Sequence, residues 1–439
     1  MESRSIRVVL VILGIVTVGL SVLSTALFFR LRQVESDLAA VSGQAARPLE
    51  ADIAVQFVPV EEKAEQDPDS TVIGGVEPVF PSFSVVVGEK MPHNLSRVDF
   101  SPTIGDIYRI HYDRPWNVLL MAVVEPSGLR SVWRLDRDLK LTRVLVENGR
   151  SGEIFLGSDS LGRVYAGFAD PGTLYRTEDL GQTWKRVAEG IDGAFWAIAD
   201  DGHGTLWGSL HAYNRAILYR SVDDGFTWEE WKDFQEVFPE YAKTYRSGDD
   251  RFELRHLHAV AYWKGRLFVG VGDVARFTVV SDDGGETWTR VWDEGFTASS
   301  VLADGSGLLL GPDRLQSHGV ALYDPVANRT TEVWNPIPHG YAGYTYSIIL
   351  MDGVYYAAFH TEANEVSEFS GHSGIIVSPD GRKWYPFLTF EKLTSTARTD
   401  MFLATGEQWV HGYLSLNGAL YRFEPPFGRW FEMHEPFGR

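Results

Sequence analysis

Four stretches decide how this chain is read: "TEDLGQTW" (177–184), "SVDDGFTW" (221–228), "SDDGGETW" (281–288) and the one-residue-shorter "SPDGRKW" (378–384). Each opens on Ser or Thr, places an Asp two positions on, follows with Gly and closes on Trp. Asp179, Asp223, Asp283 and Asp380 are suited to accept backbone hydrogen bonds in a tight hairpin turn. Gly181, Gly225, Gly285 and Gly381 supply turn conformations that other residues resist. Trp184, Trp228, Trp288 and Trp384 offer large rings to pack between neighbouring sheets. The expected role of all twelve residues is structural. Near-copies at intervals signal a repeat architecture, in which each unit buries its apolar face only against its neighbours.

The four stretches resemble Asp-boxes, the Ser/Thr-x-Asp-x-Gly-x-Thr-Trp motif of the BNR-repeat propellers, a group that includes the sialidases. The resemblance implies a β-propeller. Spacing then gives the count. Asp179 to Asp223 is 44 residues, Asp223 to Asp283 is 60, and Asp283 to Asp380 is 97, room for two blades. Degenerate copies fill the gaps: "LYDPVANRTTEVW" ending at Trp334, "LYRFEPPFGRW" ending at Trp430, and "VWRLDRDLKLTRV" around Asp136. Each blade reads as four short strands with turn residues between them, as in "GEIFLGSDS", "RVYAGFAD", "GTLYRTED" and "TWKRVAEG". This yields an all-β, seven-bladed propeller from about residue 104 to 436, with "FPSFSVVVG" (80–88) as an added outer strand that helps close the ring.

Two connections exceed the usual length: the partly helical-looking stretch 232–256, and the loop 360–373. With strands lettered a to d outward from the axis, d–a and b–c loops emerge on one face, opposite the motif turns. That rim collects His211, His256, His258, His318, His339, His360 and His372, joined by Arg215, Arg251, Arg255, Arg276 and Arg314 and by Asp273 and Glu362. The candidate ligand-binding set is His211, Arg215, Arg255, His258, Asp273, Arg276, His318 and His360. Arginine holds a carboxylate or sulfate through paired bonds, so the set suits a sugar or an anionic group. Only His256-x-His258 has ligand-like spacing, two rings on one face of a strand. No metal site and no cofactor are assigned, and no catalytic residue is placed.

The composition frames these readings. The chain has 439 residues, 13% of them aromatic, with 14 Trp and 43 Gly, which suits one large all-β body. Its net charge of −19 argues against general nucleic-acid binding, which needs concentrated Lys and Arg. With no Cys, disulfides, thiolate metal sites and a cysteine nucleophile are excluded.

Val8 to Phe29 is a run of 22 uncharged residues, long enough to cross a membrane as a helix. The expected organisation is a short tail (1–7), a transmembrane anchor (8–29), a juxtamembrane helix and acidic linker (30–77), and the propeller (78–439). The linker reading rests on ten acidic residues against Arg47 and Lys63 between 33 and 77. Seven residues before the span and a large domain after it favour an inside N-terminus, with the propeller periplasmic or at the cell surface.

The resemblance also raises catalysis. In sialidases three arginines hold the substrate carboxylate, the first in an Arg-Ile-Pro motif, while a Tyr–Glu pair and an Asp do the chemistry. This chain offers Arg109-Ile110 followed by His111 instead of Pro, and the remaining groups have no placement. Sialidase propellers also have six blades. The function expected is therefore a membrane-anchored extracytoplasmic module binding a glycan or protein partner. The alternative is a sialidase-like glycoside hydrolase acting at the propeller mouth.

Overall fold

The computed structural model describes residues 84–87 and, with short gaps, 95–423, together with Phe431 and Pro436. Contacts divide the chain into Met1–Gln66 and Asp67–Arg439. The expected anchor, Val8–Phe29, and linker lie outside the described residues. Among those described, no helix is long and apolar enough to cross a membrane.

The described chain is a β-propeller. Six sheets each take four consecutive antiparallel strands, covering 106–147, 154–189, 194–233, 257–292, 296–332 and 344–390, here blades 1 to 6. The expectation of seven equivalent blades is corrected to these six. The remaining sheet is built differently. It has five strands, ordered Ser84–Val87, Leu95–Ser101, Ala419–Phe423, Gly412–Leu416 and Met401–Thr405 from one edge to the other. Leu95–Ser101 pairs with Ala419–Phe423, so the two ends of the fold are joined in one sheet. Met401–Thr405 lies between the strands a of blade 6 (Tyr344–Met351) and blade 1 (Asp106–Asp113), which closes the ring. Counting from residue 104 missed Leu95–Ser101 because "LSRVDFS" carries no turn motif. A non-local pairing supplies its partner.

The core runs between sheets. Trp184 is buried in a cluster that joins Leu120, Val132 and Leu145 of blade 1 to Val164 and Tyr175 of blade 2. Trp228 sets its ring edge-on to Phe195 at 5.2 Å and Tyr165 at 6.1 Å, between blades 2 and 3. Trp384 packs with Leu302 and Leu309 of blade 5. The repeated turns place these rings. In blade 3, Asp223 accepts from the backbone N–H of Thr227 at 2.9 Å and from the Thr227 hydroxyl at 2.7 Å. Ser221 donates to Asp223 at 2.8 Å while accepting from Gly225 N–H at 2.9 Å. Gly225 has φ +79°, and a Cβ there would lie 2.2 Å from the Tyr165 hydroxyl of blade 2. Conformation and space both exclude a side chain. The turns around Asp179 and Asp283 repeat this bonding, and Asp380 accepts from the backbone N–H groups of Arg382 and Lys383, with Lys383 in place of the threonine. Asp136 and Asp324, in two of the degenerate copies, also accept turn N–H groups.

The strands a line the axis, and five of them carry an irregularity. Pairing with strand b slips between Ile107 and Arg109, Phe195 and Ala197, Leu257 and Val260, Phe296 and Ala298, and Thr345 and Ser347. Such bulges re-aim side chains. Here they fall at Trp196, His258, Thr297 and Tyr346, which meet at one end of the channel.

Candidate functional site at the channel mouth

That end is the b–c and d–a face, opposite the repeated turns. His211 ends strand b of blade 3 (Leu206–His211), across from Ala194 at the start of strand a. The long connection after blade 3 delivers Arg255 and His256. It contains a short helix, Phe234–Val237, capped by Asp233, and a 3-10 turn, Pro239–Tyr241. Phe234 and Leu254 are fully buried. Gln235 donates to the carbonyls of Asn214 and Leu254, tying both ends of the connection together. His258 follows in strand a of blade 4 (Leu257–Trp263).

The three imidazoles form a compact group. Ring centroids are 4.1 Å apart for His211–His256, 4.8 Å for His256–His258 and 5.3 Å for His211–His258. His256 and His258 are buried, whereas the His211 side chain keeps 21% of its surface exposed. Gly272 makes room for one of them, because a Cβ there would lie 2.2 Å from the His258 ring.

Carboxylates surround the rings. Glu153, just before strand a of blade 2, approaches His211 Nδ1 at 2.8 Å. Asp313, just after strand b of blade 5, approaches His258 Nδ1 at 3.0 Å and accepts from Asp273 N–H. Asp273 is ion-paired with Arg255 and lies 3.3 Å from His256 Nε2. His256 Nδ1 faces the carbonyl of Ala212 at 3.0 Å. Burial, then the nearby His211, His258 and Arg255, push the His256 pKa well below 6.5, so its ring is neutral at pH 7.

Beneath the rings the channel is crossed by two side chains. Trp196 packs under His211 and His258, with centroids 5.1 and 5.0 Å away, and reaches Tyr346 of blade 6 at 4.9 Å. Its indole N–H donates to the Thr297 carbonyl of blade 5 at 2.8 Å. Arg109 of blade 1 stacks on the Trp196 ring at 4.6 Å and donates to the Trp196 carbonyl at 2.8 Å. The channel behind this plug has a volume of about 290 Å³. Arg109 is thus buried in a cross-channel stack. Among the described residues lining the channel, arginine occurs at that position alone.

Of the expected ligand-binding residues, the fold brings together His211, Arg255, His258 and Asp273. Arg215 stands apart, held by Glu230 in a bidentate pair at 2.8 and 2.9 Å. Arg276 is half-buried and makes no polar contact with the histidines. His318 and the side chain of His360 lie outside the described residues.

The expected preference for an anionic ligand is corrected. Arg255 is already paired with Asp273, and Glu153 and Asp313 add two further formal negative charges. With the His256 ring neutral and the carboxylates outnumbering Arg255, this mouth suits a cationic group. The reading of the sequence passed over Glu153, Asp313, Trp196 and Gly272. One signal was available: aligned by blade, Asp273 and Asp313 fall within two residues of the end of strand b, in "GVGD" and "LGPD".

No protein-family model matches the chain, and no curated protein matches it. Solved structures do. Selenomethionine-substituted virginiamycin B lyase from Staphylococcus aureus is 13% identical with a TM-score of 0.52, over 76% of this chain and 99% of that one. A catalytically inactive form of the same lyase with quinupristin gives 13% and 0.50, over 78% and 100%. A chain of the mitotic checkpoint complex gives 11% and 0.51, over 86% and 99%. At these identities the likeness concerns the fold, and the chain is an all-β β-propeller.

Proposed function

We propose that this chain is a binding module that takes a protein partner at the histidine-bearing mouth and is held at a membrane by Val8–Phe29, outside the cytoplasm. The observation that carries the reading is the convergence at one end of the ring. His211, Arg255, His258, Asp273 and Asp313 come from three blades and are gathered over a closed channel, where concave polar surfaces serve recognition. The same fold serves a chain of the mitotic checkpoint complex. The composite sheet stands in this reading for a seventh blade, and the four repeated turns are Asp-boxes, as their shared hydrogen bonding supports. Commitment of Arg109 to Trp196 weighs against a sialidase-like hydrolase, since it removes the one arginine the motif offered.

The test is site-specific photo-crosslinking in native membranes. The crosslinker replaces Val274, exposed beside Asp273, or Phe226, exposed in the repeated turn of blade 3. Adducts are expected from position 274 and not from 226, with the full-length chain staying in the membrane after alkaline wash. Adducts from 226 alone would overturn the assignment of the mouth. Saturable glycan-array binding lost in Arg255→Ala would replace the protein partner by a sugar. Turnover of a fluorogenic glycoside would replace the binding module by the hydrolase.

A further inference from the structure

The three histidines share a feature that packing does not explain. Each Nδ1 has an oxygen close by: the Ala212 carbonyl is hydrogen-bonded to His256 at 3.0 Å, whereas Glu153 Oε2 at 2.8 Å from His211 and Asp313 Oδ2 at 3.0 Å from His258 are ion-pair contacts without hydrogen-bond geometry. For His256 the carbonyl contact places the proton on Nδ1 and leaves the Nε2 lone pair available. His256 Nε2 is buried and makes no hydrogen bond, and Asp273 Oδ2 lies 3.3 Å from it. The other Asp273 oxygen is 4.0 Å from His258 Nε2. One ligating atom from each of His211, His256 and His258 lies within 4.8 Å of the others.

We infer that His211, His256 and His258 bind a zinc-like divalent metal ion through Nε2, with Asp273 as the fourth ligand. Metal-ligating imidazoles characteristically give their second nitrogen to a carboxylate or backbone carbonyl, which fixes the tautomer and the ring orientation. His256 meets that description, and the carboxylates of Glu153 and Asp313 stand within 3.0 Å of the corresponding nitrogens of His211 and His258. The donor set selects the ion: three imidazoles and one carboxylate suit zinc or another late first-row divalent metal, whereas magnesium and calcium prefer all-oxygen sites. Charge agrees, since the mouth carries a formal excess of two carboxylates over Arg255. With bonds of about 2.0–2.1 Å, tetrahedral ligand nitrogens sit about 3.4 Å apart, so the rings close on the ion by roughly an ångström. Four protein ligands make a closed site of the structural kind. It would clamp strand b of blade 3 to the start of blade 4, with Glu153 and Asp313 bracing it from blades 2 and 5. This inference stands independently of any partner, since metal uptake is read on the protein alone.

The experiment takes full-length protein in detergent, strips it with a chelator and titrates it with Zn²⁺ and then Co²⁺. One equivalent of zinc per chain is expected, with a rise in melting temperature by mass action. Cobalt is expected to give the intense visible bands of a tetrahedral site. His211→Asn, at the exposed edge of the cluster, should abolish stoichiometric uptake and the thermal shift while melting like metal-free wild type. Glu153→Gln, which leaves every ligand in place, should weaken zinc binding roughly tenfold or more. Absence of stoichiometric uptake by the wild type overturns the site. So does uptake unchanged in both His211→Asn and Glu153→Gln, which would reduce the cluster to a hydrogen-bonded network.

Discussion

At one end of the ring, Asp179 and Asp223 each spend both carboxylate oxygens on donors no more than four residues away. At the other end, His211, His256 and His258 draw their partners from blades 2, 3 and 5. The turn end is local and repeated, and each motif Asp is satisfied within its own turn, although the buried indole N–H groups of Trp184, Trp288 and Trp384 make no hydrogen bond. The mouth is non-local and irregular, and His256 Nε2 is left without a hydrogen bond. Self-contained turns set the blade geometry. At the mouth the polar groups find their partners across blades, and that non-local convergence is what the proposed binding role rests on.

The largest effect that tests this contrast is expected at the turn end. Trp184→Ala should lower stability by about 3–5 kcal/mol, because it empties a fully buried space between blades 1 and 2. Denaturant unfolding followed by Trp fluorescence measures it. A loss below about 1 kcal/mol would show that the rings do not hold the blades together.

A smaller effect is expected at the mouth. Gly272→Ala brings a Cβ within 2.2 Å of the buried His258 ring, and overpacking of this kind costs about 1–3 kcal/mol. The informative readout is the change in partner crosslinking from position 274 in the same variant. Stability lost with crosslinking intact would make the His258 ring a packing element alone.

The smallest effect returns to a turn and depends on pH. Partial burial opposes ionisation of Asp223, but bonds from the Thr227 N–H and hydroxyl and from Ser221 outweigh it and hold its pKa below the ordinary 3.8. A depressed carboxylate stabilises the fold above its unfolded pKa and loses that contribution as pH falls through the folded value. Asp223→Asn should therefore cost about 1 kcal/mol at pH 7, and the gap from wild type should narrow below pH 4. A gap that stays constant down to pH 2 would mean that the charge of Asp223 does not strengthen the turn.

The sequence determined the turn end almost completely. Ser/Thr, Asp, Gly and Trp at fixed offsets are each other's partners, so hydrogen bonding, glycine conformation and ring placement could be read without knowing the fold. It also placed the mouth on the opposite face and put His211, Arg255, His258 and Asp273 there, since strand alternation fixes which loops share a rim. Only the tertiary structure decided the rest. Leu95–Ser101 joins a sheet with Ala419–Phe423, more than three hundred residues away, and no local signal encodes that partner. Slips in strand pairing, invisible in hydrophobic pattern, carry Trp196 and His258 toward one another. Arg255 looked like an anion-binding group until the ring set Asp273 against it. Arg215 found Glu230 within its own blade. A charged side chain has the character of its neighbours, and here closure of the ring chose the neighbours.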